Sequence, residues 1–133
     1  MKLITRDTDY AVRALCYIAK SEERRISVTD LVKELKIPRA FLRKILQILN
    51  KKELLISHKG QGGGFTLGKK AKGIFLVDLI RIFQGRLKLN ECFLKKSICP
   101  NIKVCPLKRE IDNVEQYVTK RLKSITIASL LHK

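Results

Sequence analysis

The hydrophobic positions change period along the chain, and the changes divide it into elements. Between Thr8 and Lys20, Ala11, Ala14, Leu15, Ile18 and Ala19 recur at steps of three and four, which places them on one face of a helix. Asp7 or Thr8 is positioned to cap it, and Asp9 brings negative charge to the open N–H groups of the first turn. A second helix is expected from Ser27, because Ser27-Val28-Thr29-Asp30 sets an acid three residues after a capping hydroxyl. Its inward residues are Leu31, Val32 and Leu35. Lys36-Ile37-Pro38 interrupts the pattern. A third helix then begins with Pro38 in its first turn, where a missing N–H is harmless. Phe41, Leu42, Ile45, Leu46 and Leu49 form its apolar stripe, and Arg39, Arg43, Lys44 and Gln47 fall largely outside it. Two short helices joined by a tight turn, the second with exposed basic residues, make a helix-turn-helix pattern.

The period then shortens. Leu54 to His58 reads as a strand, Lys59-Gly60-Gln61-Gly62-Gly63-Gly64 must turn, and Phe65-Thr66-Leu67 returns as the partner strand. Gly68 to Gly73 is a connector with three lysines, and Ile74 to Gln84 is a short helix ended by Gly85. Residues 86–105 show no clean period. Over 106–123 the helical pattern is strong: Leu107, Ile111, Val114, Val118 and Leu122 line one face, with Lys108, Arg109, Asp112, Glu115 and Lys120 opposite. Ile125 to Leu131 forms one more apolar turn or two. The expected fold is mainly α with a small β-hairpin wing. Residues 1–73 form a winged helix-turn-helix domain; residues 74–133 hold a loop and a long C-terminal helix. The stripe on that helix must bury against something, either the chain's own core or a second copy of the chain; the second copy is the better partner, because readers of this shape usually need two half-sites.

Charge narrows the class of ligand. The 133 residues carry 29 Lys+Arg against 12 Asp+Glu, a formal net charge of +17. Residues 1–75 hold 17 basic and 7 acidic groups, and residues 76–133 hold 12 and 5, so the excess is a globular surface rather than a basic tail. Such a field attracts DNA, RNA or anionic lipid, with a merely solvated lysine-rich surface as the alternative. No apolar run approaches the ~20 residues that span a bilayer, and the first residues lack a signal-peptide core. The expectation is a cytoplasmic protein, where thiols stay reduced and four cysteines point to metal or redox chemistry before disulfides. No nucleophile–base pair stands out, and the two histidines, His58 and His132, lie on a wing strand and at the C-terminus, so an enzyme is not expected.

Helix pair, wing and charge agree on double-stranded DNA. Arg43 and Lys44 can reach guanine edges or phosphates from the third helix, with Arg39 and Gln47 beside them. At the wing, Lys59 offers a cation to the narrow groove, and Gln61, Gly62 and Gly63 bring backbone close to phosphates. The glycine run is no nucleotide loop, because a strand-like Phe-Thr-Leu follows where Gly-Lys-Ser/Thr would open a helix.

Cys92, Cys99 and Cys105 follow the spacing Cys-x6-Cys-x5-Cys. Zinc sites pair ligands two to four residues apart, and neither gap fits. Three thiolates on one loop suit an iron–sulfur cluster. Pro100 and Pro106 stiffen the loop beside two of them, and Lys95, Lys96 and Lys103 would offset the anionic charge. Ordinary small buried cysteines are the other reading. Cys16, among Leu15, Ile18 and Ala19, reads as core packing.

Met1 to Thr5, Asp9-Tyr10-Ala11-Val12-Arg13-Ala14-Leu15, Ile37-Pro38 before Phe41-Leu42, and Lys59 to Phe65 together resemble the Rrf family of winged-helix regulators, with its IscR-like and NsrR-like iron–sulfur branches. The resemblance implies a homodimer with crossed C-terminal helices, DNA contacts at Arg43 and Lys59, and a cluster held by the three cysteines near the start of the partner's first helix. IscR-like proteins take a histidine three residues after the last cysteine as fourth ligand, where this chain has Lys108. NsrR-like proteins take an acid where Asp9 stands, so the resemblance implies Asp9 of the partner, with Asp7 in reserve. Some relatives carry an acid at the position of Arg43, which points to a different operator. The first cysteine gap is one residue longer than the commonest family pattern, which leaves a 2Fe–2S and a 4Fe–4S cluster both open. The expected function is a roughly palindromic operator read by a dimer whose cluster senses iron, redox state or nitric oxide. The alternatives are a metal-free repressor whose cysteines meet thiol oxidants directly, and a small iron–sulfur electron carrier.

Overall fold

A computed structural model describes residues 3–21, 24–87 and 105–131. Helix α1 runs Arg6–Lys20, α2 Val28–Leu35 and α3 Arg39–Lys51. Strands β1 (Leu55–His58) and β2 (Gly64–Leu67) pair antiparallel, with Leu55 opposite Leu67 and His58 opposite Gly64. A single 3₁₀ turn, Ala71–Gly73, leads to α4 (Leu76–Gln84), and α5 (Pro106–Lys123) and α6 (Ile127–Leu131) close the chain. This is the mainly helical, winged architecture that the periodicities predict.

Local chemistry sets the boundaries. Ser27 caps α2 through a reciprocal pair: Asp30 N donates to Ser27 Oγ (3.0 Å) and Ser27 N donates to Asp30 Oδ2 (3.2 Å). Lys36 ends α2 in the left-handed region (φ 56°), buried Ile37 pins the turn, and Pro38 is the N-cap of α3 rather than part of its first turn. Helix α1 starts earlier than Asp7 or Thr8 could cap it. Thr5 is its N-cap, and Thr8 lies inside the helix, wholly buried. The short helix before Gly85 begins at Leu76, because Ile74 and Phe75 are held in extended backbone by the returning chain. Phe75 forms a bridge with Thr126, Leu76 N donates to Ile125 O (3.0 Å), and Ile127 N donates to Ile74 O (2.9 Å).

One core joins these elements. Ala11, Ala14, Leu15 and Ile18 of α1 pack with Leu42, Ile45, Leu46 and Leu49 of α3, with Leu55 of β1, Leu79 of α4 and Ile127 of α6. Each of the buried leucine and isoleucine side chains contributes about 1.5–3 kcal/mol over exposure. Two expected stripes behave differently. Phe41 is 39% exposed and leaves the α3 stripe to meet Arg6. On α5 only Leu122 is buried, while Leu107, Val114 and Tyr117 stand open at 69%, 50% and 72%. No helix among the described residues is long and apolar enough to cross a membrane.

Candidate nucleic-acid interface and sensing site

Helix α3 buries Leu42, Ile45, Leu46 and Leu49, so the 3.6-residue repeat turns Arg43, Lys44 and Gln47 to solvent. These three form an exposed strip along α3 with two cations and one bidentate amide. Arg39 is exposed too, but its Nη2 donates to Thr29 Oγ1 (3.2 Å), which ties the start of α3 to α2. At the other edge of the strip the Arg6 guanidinium lies 4.3 Å from the centroid of the Phe41 ring. A cation–π contact of this exposed kind contributes about 0.5–1 kcal/mol. The Arg6–Asp7 pair at 3.8 Å, both partly exposed, adds little.

The wing is short and firmly attached. Lys59, Gln61 and Gly62 are exposed at its tip, and Gly63, half-buried, donates its N–H to Gly60 O (3.0 Å). Gly62 holds φ at +76°, which an L side chain resists. His58 Nε2 and Thr66 Oγ1 share a hydrogen bond of 2.9 Å across the strands. Ile26, the residue before the α2 cap, exchanges two backbone hydrogen bonds with Phe65: Phe65 N to Ile26 O at 2.8 Å and Ile26 N to Phe65 O at 3.0 Å. The hairpin therefore gains a third partner, and wing and helix pair are hydrogen-bonded as one body. A Cβ on Gly64 would sit 2.7 Å from Ile26 O, so this approach needs glycine.

The candidate ligands are divided. Cys92 and Cys99 lie outside the described residues, as do Lys95, Lys96, Lys103 and His132. Cys105 is described: it is the N-cap of α5, half-buried, and its carbonyl accepts from Arg109 N (3.2 Å). It opens on a cleft between α4 and α5 with Arg81, Arg86 and Lys108 on the walls. Lys108 donates to Asp112 Oδ2 at 2.7 Å. Asp9 stands in the first turn of α1, partly exposed, and both its carboxylate oxygens accept from Arg13 Nε at 3.2 and 3.1 Å. Among the described residues no three His, Cys, Asp or Glu side chains converge. Cys16 is half-buried on α1, and burial pushes its thiol above the ordinary range, with Lys20 opposing.

One group that sequence reasoning missed joins these regions. Gln84, the last residue of α4, accepts from Thr5 N (2.9 Å) and from Thr8 Oγ1 (2.8 Å), and its Nε2 donates to Leu3 O (3.1 Å). The first turn of α1, with Asp7 and Asp9, is thereby fixed to the end of α4, the element that leads into the cysteine segment. A lone glutamine before a glycine carries no motif, so nothing in the sequence marks it. Arg6, Arg13 and Ile26 were missed for the same reason: their roles depend on partners that only the fold brings close.

The geometry offers a helix with an exposed cationic strip, a glycine-tipped hairpin fixed to the helix pair, and a cysteine in a largely basic cleft. Comparison with known proteins agrees with it. A family described as Rrf2, iron-dependent transcriptional regulator, matches residues 4–133. The chain is 32% identical over 126 residues to the HTH-type transcriptional regulator NsrR of Oceanobacillus iheyensis, covering 93% of this chain and 86% of that one. Among solved structures it resembles CymR, the global cysteine regulator of B. subtilis, with a TM-score of 0.83 at 23% identity over 99% of this chain and 98% of that one. It also resembles IscR of T. potens, with a TM-score of 0.77 at 23% identity over 99% and 87%. At these identities the two structures establish the shared fold.

Proposed function

The chain belongs to the Rrf2 family of transcriptional regulators, which are not enzymes, and on that premise we propose that it is a homodimeric DNA-binding regulator whose cysteines sense iron–sulfur or redox status. The observation that carries the DNA part is the exposed strip of Arg43, Lys44 and Gln47 beside a wing hydrogen-bonded to the entrance of α2. Arg43 and Gln47 read base edges, and Lys44 and Lys59 meet phosphates. Arg39, held by Thr29, orients α3 and adds charge at its start. Gln61, Gly62 and Gly63 carry the wing tip along the backbone. Two copies pair through the open face of α5, which spaces the two readers for a roughly palindromic site. The protein acts in the cytoplasm. Residues 1–73 read DNA, and residues 74–133 sense and dimerise.

Cys92, Cys99 and Cys105 hold the cluster, with Asp9 of the partner subunit as fourth ligand. The described part of this donor set is compatible with it: Cys105 is half-buried and lines a cleft in which Arg81, Arg86, Lys108, Lys120 and Lys123 outnumber Asp112 and Glu115, and the Asp9 carboxylate is partly exposed. The family's iron-dependent description and the NsrR relative support the same reading. A bound cluster, 2Fe–2S or 4Fe–4S, supplies a centre sensitive to redox state and to small ligands. The protein's own part is to hold Asp9 in position through Arg13 and to fix the first turn of α1 to α4 through Gln84. An oxygen donor is weaker towards iron than a thiolate, so Asp9 is the labile point. Direct thiol sensing is the second reading, favoured by the likeness to the cysteine regulator CymR and by cysteines that need no metal to be oxidised.

Anaerobic preparation tests both. The expected product contains iron and acid-labile sulfide. It binds duplex DNA with an affinity that changes on chelator treatment at fixed salt, and Asp9→Ala shortens cluster lifetime while leaving the protein folded. Equal affinities with and without iron remove the cluster reading. Iron-free protein that releases DNA on treatment with a thiol oxidant installs the second.

A further inference from the structure

We infer that Arg6, on α1 and outside the helix-turn-helix, is an additional phosphate contact, held in place for the duplex by Phe41. The inference rests on the DNA-binding reading and extends its contact surface. Phe41 is the one member of the α3 stripe that is exposed, at 39%, and its ring lies beneath the Arg6 guanidinium at 4.3 Å. Phe41 and Lys44 are three residues apart on α3, so they are neighbours on the helix surface. Arg6 therefore continues the strip formed by Lys44, Gln47 and Arg43 on its α1 side, as Arg39 does beside Arg43. Its side chain remains 59% exposed, with donors free for another partner once the ring face is covered. The only carboxylate paired with it among the described residues is that of Asp7, at 3.8 Å, too long and too exposed to neutralise it.

A guanidinium stacked on an aromatic ring loses little freedom on binding, because the ring already restricts it. A contact of this kind is to the backbone, so it adds affinity without sequence preference. It also gives α1, the helix that bears Asp9, its own hold on the duplex.

The test is the salt dependence of binding to a mixed-sequence duplex, which needs no knowledge of the operator. Each phosphate contact contributes about 0.9 to the slope of log K against log salt. Arg6→Gln is expected to make the slope shallower by about 0.9 for each protomer bound. Arg6→Lys is expected to keep it near the parent value. In a Phe41→Leu background, Arg6→Gln is expected to cost less than it does alone. An unchanged slope in Arg6→Gln, with the variant folded, overturns the inference and leaves the regulator reading intact. Failure of the unsubstituted protein to bind any duplex sinks that reading itself.

Discussion

Asp30 shows how a single side chain can carry both a boundary and a pH dependence. The Ser27 backbone N–H, and then the Ser27 hydroxyl, hold its carboxyl below the usual range, with Arg24 and Lys33 adding to the effect against a small burial penalty. A folded value below the unfolded one means stability that is present above the unfolded pKa, about 3.9, and lost as pH falls through the folded value. Asp30→Asn should therefore flatten the fall in urea midpoint below about pH 4, while lowering the midpoint slightly at neutral pH. A parallel acid limb in both proteins would contradict this. This capping box was legible from four consecutive residues, because both partners are local. The role of Asp9 was not. Its sequence position serves equally for a helix-dipole acid and for a ligand, and the fold adds a third partner, Arg13, four residues on.

At the scale of elements, every helix and both strands could be read from period and turn chemistry. What escaped was their attachment. The Ile26–Phe65 bridge and the Gln84 contacts join residues 39 and 76 or more positions apart, and no periodicity reports such pairs. Gly64 gives the sharpest test of the wing's attachment. Its φ of +153° and the 2.7 Å approach to Ile26 O both exclude a side chain without movement. Gly64→Ala should cost about 1–3 kcal/mol in urea unfolding and weaken DNA binding, whereas Gly73→Ala, in open space at ordinary φ, should leave both near the parent values. Equal effects at the two positions would mean that the bridge does not hold the wing.

For the whole molecule, a net charge of +17 points to a polyanion partner, and the α5 stripe leads to the expectation of a second copy. Among the described residues that stripe is buried at Leu122 and half-buried at Ile111 and Val118, while Leu107 and Val114 remain open, with exposed Tyr117 beside them. Val114→Glu places a charge where two copies would meet, so sedimentation should report a monomer and duplex affinity should fall by the loss of one half-site. A dimer of unaltered strength would move the interface elsewhere. The proposed cysteine chemistry was the least legible part at this scale, since it rests on a segment without period and, in the cluster reading, on a ligand from another subunit.

The bridge from Ile26 to Phe65 has an implication for how such a protein can respond at all. With α2 and the hairpin hydrogen-bonded together, the proposed reading surface of each protomer in the proposed dimer is a stamp of fixed outline, which a signal redraws only by breaking backbone hydrogen bonds. What a signal can still alter is the gap between two stamps, as a pair of callipers is opened or closed. Half-sites about one helical turn apart, ~34–36 Å, then act as the gauge against which that opening is judged.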